Sequence, residues 1–240
     1  INIQRITPTI NGISDSVFIL DDKYILKIFE TASKEEIENE LKLISSCADL
    51  KIPKVVSEIF MIQNKYALLY EKSKGTSPKE ISKDNICSIA IFLKEFHSIT
   101  KGKTSTNPKL FLKDELYKLI KKTNHQSFIE LFNKINIELK NDGIIHGDLF
   151  PDNATFLDKK LSCVFDFIQS CNGDFLFDLA VIALSWCNTK EEIIYLLESY
   201  QTDTTYECFL PYLKYAGLYY CVTRFLEKKD FSDLWNKITF

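Results

Sequence analysis

The apolar residues of this 240-residue chain follow mainly strand-like spacing, with one helix, up to about Glu71 and mainly helical spacing beyond Lys83, and that division limits the folds open to it. Val17 to Leu20 and Tyr24 to Phe29 are β-rich runs joined by Asp21-Asp22-Lys23, which predicts a hairpin. From Lys34 to Leu50 the apolar positions Ile37, Leu41, Ile44 and Ala48 recur at helical spacing, Ser33 stands where an N-cap belongs, and Pro53 ends the run. Lys54 to Phe60 and Lys65 to Tyr70 are two further strand candidates. Beyond the polar stretch Glu71 to Lys83 the pattern turns helical, in Asn85 to Ser98, Leu110 to Asn124, Ser127 to Asn141, Asp174 to Cys187, Lys190 to Tyr200 and Leu210 to Lys228. A loop-strand-loop over residues 143–172 interrupts it. The expected class is α+β: a small antiparallel sheet lobe with one helix over residues 1–71, and a larger, mainly helical lobe over residues 72–240.

Composition narrows the partners. Hydrophobic residues make up 45% and charged residues 26%, with 7 Gly and 6 Pro, so the chain is expected to fold throughout. A net charge of -3 lacks the clustered basic excess that phosphate backbones demand, which argues against nucleic acid as a partner. The 7 cysteines are scattered and never spaced as C-x-x-C, so they read as free thiols in a reducing cytoplasm. The longest nearly apolar run, Phe175 to Cys187, has 13 residues with Asp178 inside it, short of the roughly 20 that cross a bilayer; no membrane span or secretion signal is expected.

The segment His146-Gly147-Asp148-Leu149-Phe150-Pro151-Asp152-Asn153, followed by Asp166-Phe167, carries the chemistry. It meets the spacing H-x-D-L-x-x-x-N with a downstream D-F, the arrangement phosphoryl transfer uses to position a hydroxyl and hold magnesium. A carboxylate within hydrogen-bond reach of a hydroxyl can orient it and take its proton, which points to Asp148. An amide oxygen and a carboxylate suit a hard cation, which points to Asn153 and Asp166, the latter at the end of the apolar run Leu161 to Phe165. The bland alternative is an Asx-rich turn.

Alternation puts Lys27 on the face of Ile25 and Phe29, an awkward place for an unpaired ammonium. On the following helix Glu40 flanks the inward stripe and could reach it, with Glu36 as runner-up, and the pair would serve nucleotide phosphates. An edge-strand lysine in water is the alternative. The turn holding Gly12, Ser14 and Asp15 could offer amides and hydroxyls to phosphates, although it lacks the three glycines of a protein-kinase loop.

Together these residues resemble the aminoglycoside phosphotransferase and choline kinase superfamily over nearly the whole chain. The stretches Gly143 to Asn153, Leu161 to Phe167, Cys171-Asn172 and Phe177 to Cys187 look most like its homoserine kinases, as does the helix Tyr215 to Leu226. Two departures stand out: the chain is short for such an enzyme, and Gly173-Asp174 stands where an acid tends to follow Cys-Asn directly. The resemblance implies a kinase-like fold, ATP and Mg2+ as cofactors, and a small-molecule hydroxyl as acceptor. It implies Asp148 as base, Asn153 and Asp166 as metal ligands, Lys27 with Glu40 at the nucleotide, and Asp178 as a structural acid bracing the catalytic loop.

For homoserine, Arg224 is the candidate partner of the substrate carboxylate, with a packing or salt-bridge role as the alternative. Trp186 and Asp174 are candidate walls of the acceptor pocket, and a buried core role is the alternative for Trp186. His97 and His146 read as structural histidines and His125 as solvated. Choline or ethanolamine kinase would need an aromatic cage, for which Trp186, Trp235 and the C-terminal tyrosines are candidates. An aminoglycoside kinase would need an acidic pocket, and a pseudokinase would not need the full set of Lys27, Asp148, Asn153 and Asp166. A protein kinase is disfavoured, because only 12 positions separate Asp166 from Asp178 (178 minus 166).

Overall fold

The computed structural model describes residues 3–9, 15–108 and 110–239. Its fold is α+β, with the antiparallel sheet and one helix first and the remaining helices after them, as the division of the pattern requires. The chain divides into two compact units, Ile1–Pro78 with Asp152–Ile168, and Lys79–Pro151 with Gln169–Phe240.

The first unit is a five-stranded antiparallel sheet in the order β1-β2-β3-β5-β4, formed by β1 (Ile6–Pro8), β2 (Ser16–Leu20), β3 (Tyr24–Ile28), β4 (Phe60–Ile62) and β5 (Lys65–Glu71). Asp21 and Asp22 both take the left-handed conformation in the β2–β3 turn, as do Gln63 and Asn64 between β4 and β5. The short polar side chains of Asp21, Asp22 and Asn64 tolerate that region, and its twist matches that of the flanking strands. Helix α1 (Lys34–Ser46) opens on a reciprocal capping box between Ser33 and Glu36. It stops a turn earlier than periodicity suggests, because the Cys47 amide folds back onto the carbonyls of Leu43 and Ile44. Lys54 to Phe60 is not a full strand: it makes one bridge, Val55 to Tyr70, before β4 begins.

A second hairpin, β7 (Ala154–Leu157) and β8 (Lys160–Val164), comes from far along the sequence yet belongs to this unit. Thr76 and Phe156 exchange both backbone hydrogen bonds, at 3.0 and 2.9 Å, and the Val164 amide donates to the Lys51 carbonyl at 2.8 Å. The approach beside Thr76 is close enough to dictate a glycine. Gly75 has φ +91°, and a Cβ there would lie 2.1 Å from the Phe156 carbonyl oxygen.

The second unit is helical: α2 (Lys83–Thr100), α3 (Lys113–Thr123), α4 (Gln126–Lys134), α5 (Phe175–Trp186), α6 (Lys190–Tyr200), α7 (Tyr206–Leu226) and α8 (Ser232–Thr239), with the strand pair β6 (Gly143–Ile145) and β9 (Cys171–Gly173). Thus residues 143–172 hold four short strands, where one was expected. Helix α5 is the centre of the core, buried on every face from Phe177 to Leu184, and packs along α7. Helix α4 ends at Lys134, well before Asn141, because Ile135 and Ile137 are buried alternately with exposed Asn136 and Glu138. Burial of period two demands extended chain. Helix α7 begins at Tyr206, one turn ahead of expectation, on the N-cap Thr205. His125, expected in solvent, instead stacks on Phe128 at 4.2 Å amid Phe225, Phe231 and Trp235. None of the seven cysteines is in a disulfide, and no helix of the described residues is long and apolar enough to cross a membrane.

Replacing Gly75 with alanine adds both a clash and an unfavourable φ. Gly75→Ala is expected to lose about 2 kcal/mol or more of stability in urea unfolding, whereas Gly102→Ala, whose Cβ would meet nothing within 4 Å, should lose less.

Candidate active site

In the first unit, strand pairing assembles a charge cluster. Lys27 lies on β3 opposite Val17 of β2 and Leu68 of β5, so it is on an interior strand and only 9% exposed. Its Nζ donates to Asp166 Oδ1 at 2.7 Å and lies 3.2 Å from Asp15 Oδ2. Burial alone would lower the lysine's pKa, but the carboxylates of Asp166, Glu40 and Asp15 outweigh it and hold Lys27 charged, above the ordinary lysine range.

The direct Lys27–Glu40 ion pair expected from the sequence is not formed. Glu40 faces the cluster and is buried, but its Oε1 accepts the backbone amide of Phe167 at 3.1 Å while Oε2 has no hydrogen-bond partner. Glu36 is engaged in the capping box of α1. The role of Glu40 follows from the backbone it holds: Asp166 has φ +69°, an uncommon conformation for any residue but glycine, and the bond to the next amide secures that turn. Burial pushes the Glu40 carboxyl up to about 7, Lys27 pulling it back and Asp166 adding to the rise.

Asn153 and Asp166 are placed by one hairpin. Ala154 pairs with Val164, and the ladder continues in a bond from the Phe165 amide to the Asn153 carbonyl at 3.0 Å, so Asn153 and Asp166 stand at the same end of β7–β8. Among the described residues no three His, Cys, Asp or Glu side chains gather to hold a metal. One amide oxygen and one half-exposed carboxylate fit magnesium, which is held by few protein ligands and completes its shell with phosphates and water. Asp15 is a partner of Lys27, and its Oδ1 accepts the Glu30 amide at 3.0 Å. The other two residues of that turn, Gly12 and Ser14, lie outside the described residues.

In the second unit Asp148 sits on a loop whose backbone is held from α5 and α7. Asp178, fully buried on α5, accepts the amides of His146 and Gly147, both at 2.8 Å, and faces His97 Nε2 at 3.0 Å. Burial opposes its charge, but the hydrogen bond and charge of His97, with the Gly147 amide, hold its carboxyl below the usual range. The Asp148 amide donates to His146 Nδ1 at 3.3 Å. Gly147 has φ +81°, and a Cβ there would lie 2.6 Å from the Phe111 ring. Trp186 Nε1 donates to the Leu149 carbonyl at 2.9 Å, and the Tyr220 hydroxyl donates to the Gly147 carbonyl.

The three acceptor-pocket candidates take other parts. Trp186 is buried and supports the loop from behind. Asp174 is the buried N-cap of α5, accepting the amides of Leu176 and Lys140 at 2.8 Å. Arg224 already has a carboxylate, Asp233, whose two oxygens lie 2.9 and 3.2 Å from Nη1. With Trp186 buried and Trp235 packed on Phe128 and His125, these tryptophans form no cage for a quaternary ammonium. Tyr220 figured in the sequence only among the C-terminal tyrosines of a possible aromatic cage, with no part in holding the loop. A lone tyrosine on an aromatic helix carries no motif, although its place opposite the loop emerges once α7 is folded.

The sequence model of the APH phosphotransferase enzyme family matches residues 5–212. The chain is similar to the homoserine kinase of Azorhizobium caulinodans, 56% identical over 45 residues that cover 19% of this chain and 14% of that protein. It is also similar to the homoserine kinase of Bartonella henselae, 29% identical over 120 residues, 41% of this chain and 38% of that one. The matched region thus spans well under two thirds of these relatives' length. Its fold is shared with the GDP complex of wild-type aminoglycoside 2'-phosphotransferase-IIIa, at a TM-score of 0.72 and 17% identity over 99% of this chain and 92% of that one. A choline/ethanolamine kinase family protein from Mesorhizobium loti gives 0.70 at 11% identity, over 98% and 85%.

Glu40 makes a pH prediction. A carboxyl at about 7 in the fold against 4.5 outside it binds its proton more tightly when folded, so stability falls as pH rises from about 4.5 through 7. Glu40→Gln, which keeps the acceptor for the Phe167 amide, should flatten that slope in melts across pH 5 to 8 and match or exceed the parent at the upper end.

Proposed function

Because the chain belongs to the APH phosphotransferase enzyme family, we propose that it transfers the γ-phosphoryl group of ATP to the hydroxyl of a small molecule, homoserine above other acceptors. The observation that carries the reading is the buried ammonium of Lys27 held against the carboxylate of Asp166. Three carboxylates, Asp166, Glu40 and Asp15, surround one lysine, a net negative site suited to a cation that arrives with phosphates. Lys27 would then contact the nucleotide phosphates, and Asn153 with Asp166 would hold magnesium, which when bound neutralises charge on the transferring group.

Asp148 is assigned the acceptor. Its carboxylate accepts the hydroxyl hydrogen bond and takes the proton as the hydroxyl oxygen bonds to the γ-phosphorus. The bond from phosphorus to the β,γ-bridging oxygen breaks, and ADP leaves with that electron pair. Homoserine is preferred among acceptors because the curated similarities reported above are to homoserine kinases, at up to 56% identity over short stretches. Arg224, engaged with Asp233, is not assigned the substrate carboxylate.

Purified protein with ATP and magnesium should release ADP when given homoserine, and not when given choline or an aminoglycoside, in a coupled assay. Asp148→Ala should lower kcat by at least about 100-fold, and Asp166→Ala should abolish the magnesium dependence together with the activity. ADP release with another acceptor, or with none of the panel, would overturn the assignment of homoserine.

A further inference from the structure

Helix α5 sends two side chains to the loop of Asp148, Asp178 from its first turn and Trp186 from its last. The last turn contains no basic residue. The Asn188 amide, which would continue the helical ladder to the Leu184 carbonyl, donates instead to Glu192 Oε2 at 2.6 Å. Carbonyls at a helix C-terminus carry the negative end of the dipole and take their donors from elsewhere. Lys237 of α8 supplies them: its Nζ donates to the carbonyls of Leu184 at 3.0 Å and Cys187 at 2.9 Å. Those two residues bracket Trp186, whose Nε1 donates to the carbonyl of Leu149, the residue after Asp148.

Close packing sets α8 against this end of α5. Leu234 and Ile238, one turn apart, are buried. A Cβ at Gly217 of α7 would lie 2.4 Å from Ile238 Cγ2 and 3.3 Å from Leu184 Cδ1, so the glycine is what lets α8 come this near. The family match ends at residue 212, and α8 lies beyond it.

We propose that Lys237 is a positioning residue for Asp148, acting through Trp186: it caps the end of α5 and so fixes the indole that holds the Leu149 carbonyl. An ammonium has three donors and no acceptor, so one Nζ can answer both carbonyls. Without it the last turn of α5 loosens and the indole shifts, and a displacement of about 1 Å near a reacting group can cost on the order of 100-fold in rate. The inference rests on the reading of Asp148 as the residue that takes the acceptor's proton.

Lys237→Met keeps most of the stem and removes the donors. It should lower kcat about 10-fold and leave KM for ATP within about twofold. Lys237→Arg, whose guanidinium can donate to both carbonyls, should return kcat to within about threefold of the parent. Asp233→Asn breaks the ion pair between α7 and α8 but leaves α5 capped, and should leave kcat unchanged. Lys237→Met combined with Trp186→Phe should be no slower than Trp186→Phe alone, whereas a lysine that only stabilises the fold would give additive losses. A readout independent of turnover is the indole N–H signal of Trp186 in 15N-labelled protein, assigned with Trp186→Phe. Lys237→Met should move that signal toward the position of an unbonded indole, and Lys237→Arg should leave it near the parent's. Lys237→Gln, which keeps an amide donor, should move it partway and serves if Lys237→Met does not fold. An unmoved signal in both overturns the role of Lys237 whether or not homoserine is phosphorylated, as do additive losses or an unchanged kcat in an active protein. A moved signal, where the parent is inactive toward every acceptor, supports the link from Lys237 to Trp186 and overturns the proposed function instead.

Discussion

A carboxylate that is fully buried must have its oxygens answered by donors, and Asp178 meets that demand with the loop that carries Asp148. The residue stands on α5, the most apolar helix of the chain, where an unpaired charge would cost several kcal/mol. Two backbone amides and the His97 ring satisfy it, and His97 is in turn bonded to Tyr200 and stacked on Phe175. Core packing and loop geometry are thereby one problem. Any movement of residues 146–147 strands a buried charge, so the position of Asp148 is set by the interior of the helical unit more than by the loop's own conformation.

The first unit solves a related problem with the signs reversed. Lys27 is a buried cation on an interior strand, and a surplus of carboxylates keeps it charged. Glu40 stays close without bonding to it and braces the left-handed backbone of Asp166 through Phe167. The glutamate of α1 thus acts on the lysine's partner, and its influence on Lys27 is carried by charge across the cluster.

Much of this was readable from the residues, and the failures have physical causes. Where an element had one dominant period and its own cap, as in α6 with the Thr189 capping box, periodicity set its limits well. It failed where two periods met. Ile135 to Lys140 alternates apolar and polar directly after a helical stretch, and the longer pattern masked the shorter. The spacing of His146, Asp148, Asn153 and Asp166 pointed to the chemistry because it is local in sequence. The partners of Arg224, Asp174 and Trp186 depend on which helices pack together, and a side chain's chemical suitability for a ligand says nothing about whether the fold has already used it. Glu40 was placed on the correct face, but a face constrains direction and leaves open which of several nearby donors a carboxylate will take.

The exchange of hydrogen bonds between Thr76 and Phe156, made possible by Gly75, has a consequence for how the protein forms. The unit that begins the chain is finished by residues 152–168, so during synthesis its first 78 residues emerge without the hairpin that bears Asn153 and leads into Asp166. Lys27 then lacks its nearest counter-charge until Asp166 has been made, 139 residues later. An N-terminal fragment cut near residue 78 would carry a sheet with a buried ammonium and one of its principal acids missing. The two units are consequently linked three times by the chain, and the order of translation makes the helical segment up to Pro151 precede completion of the sheet unit.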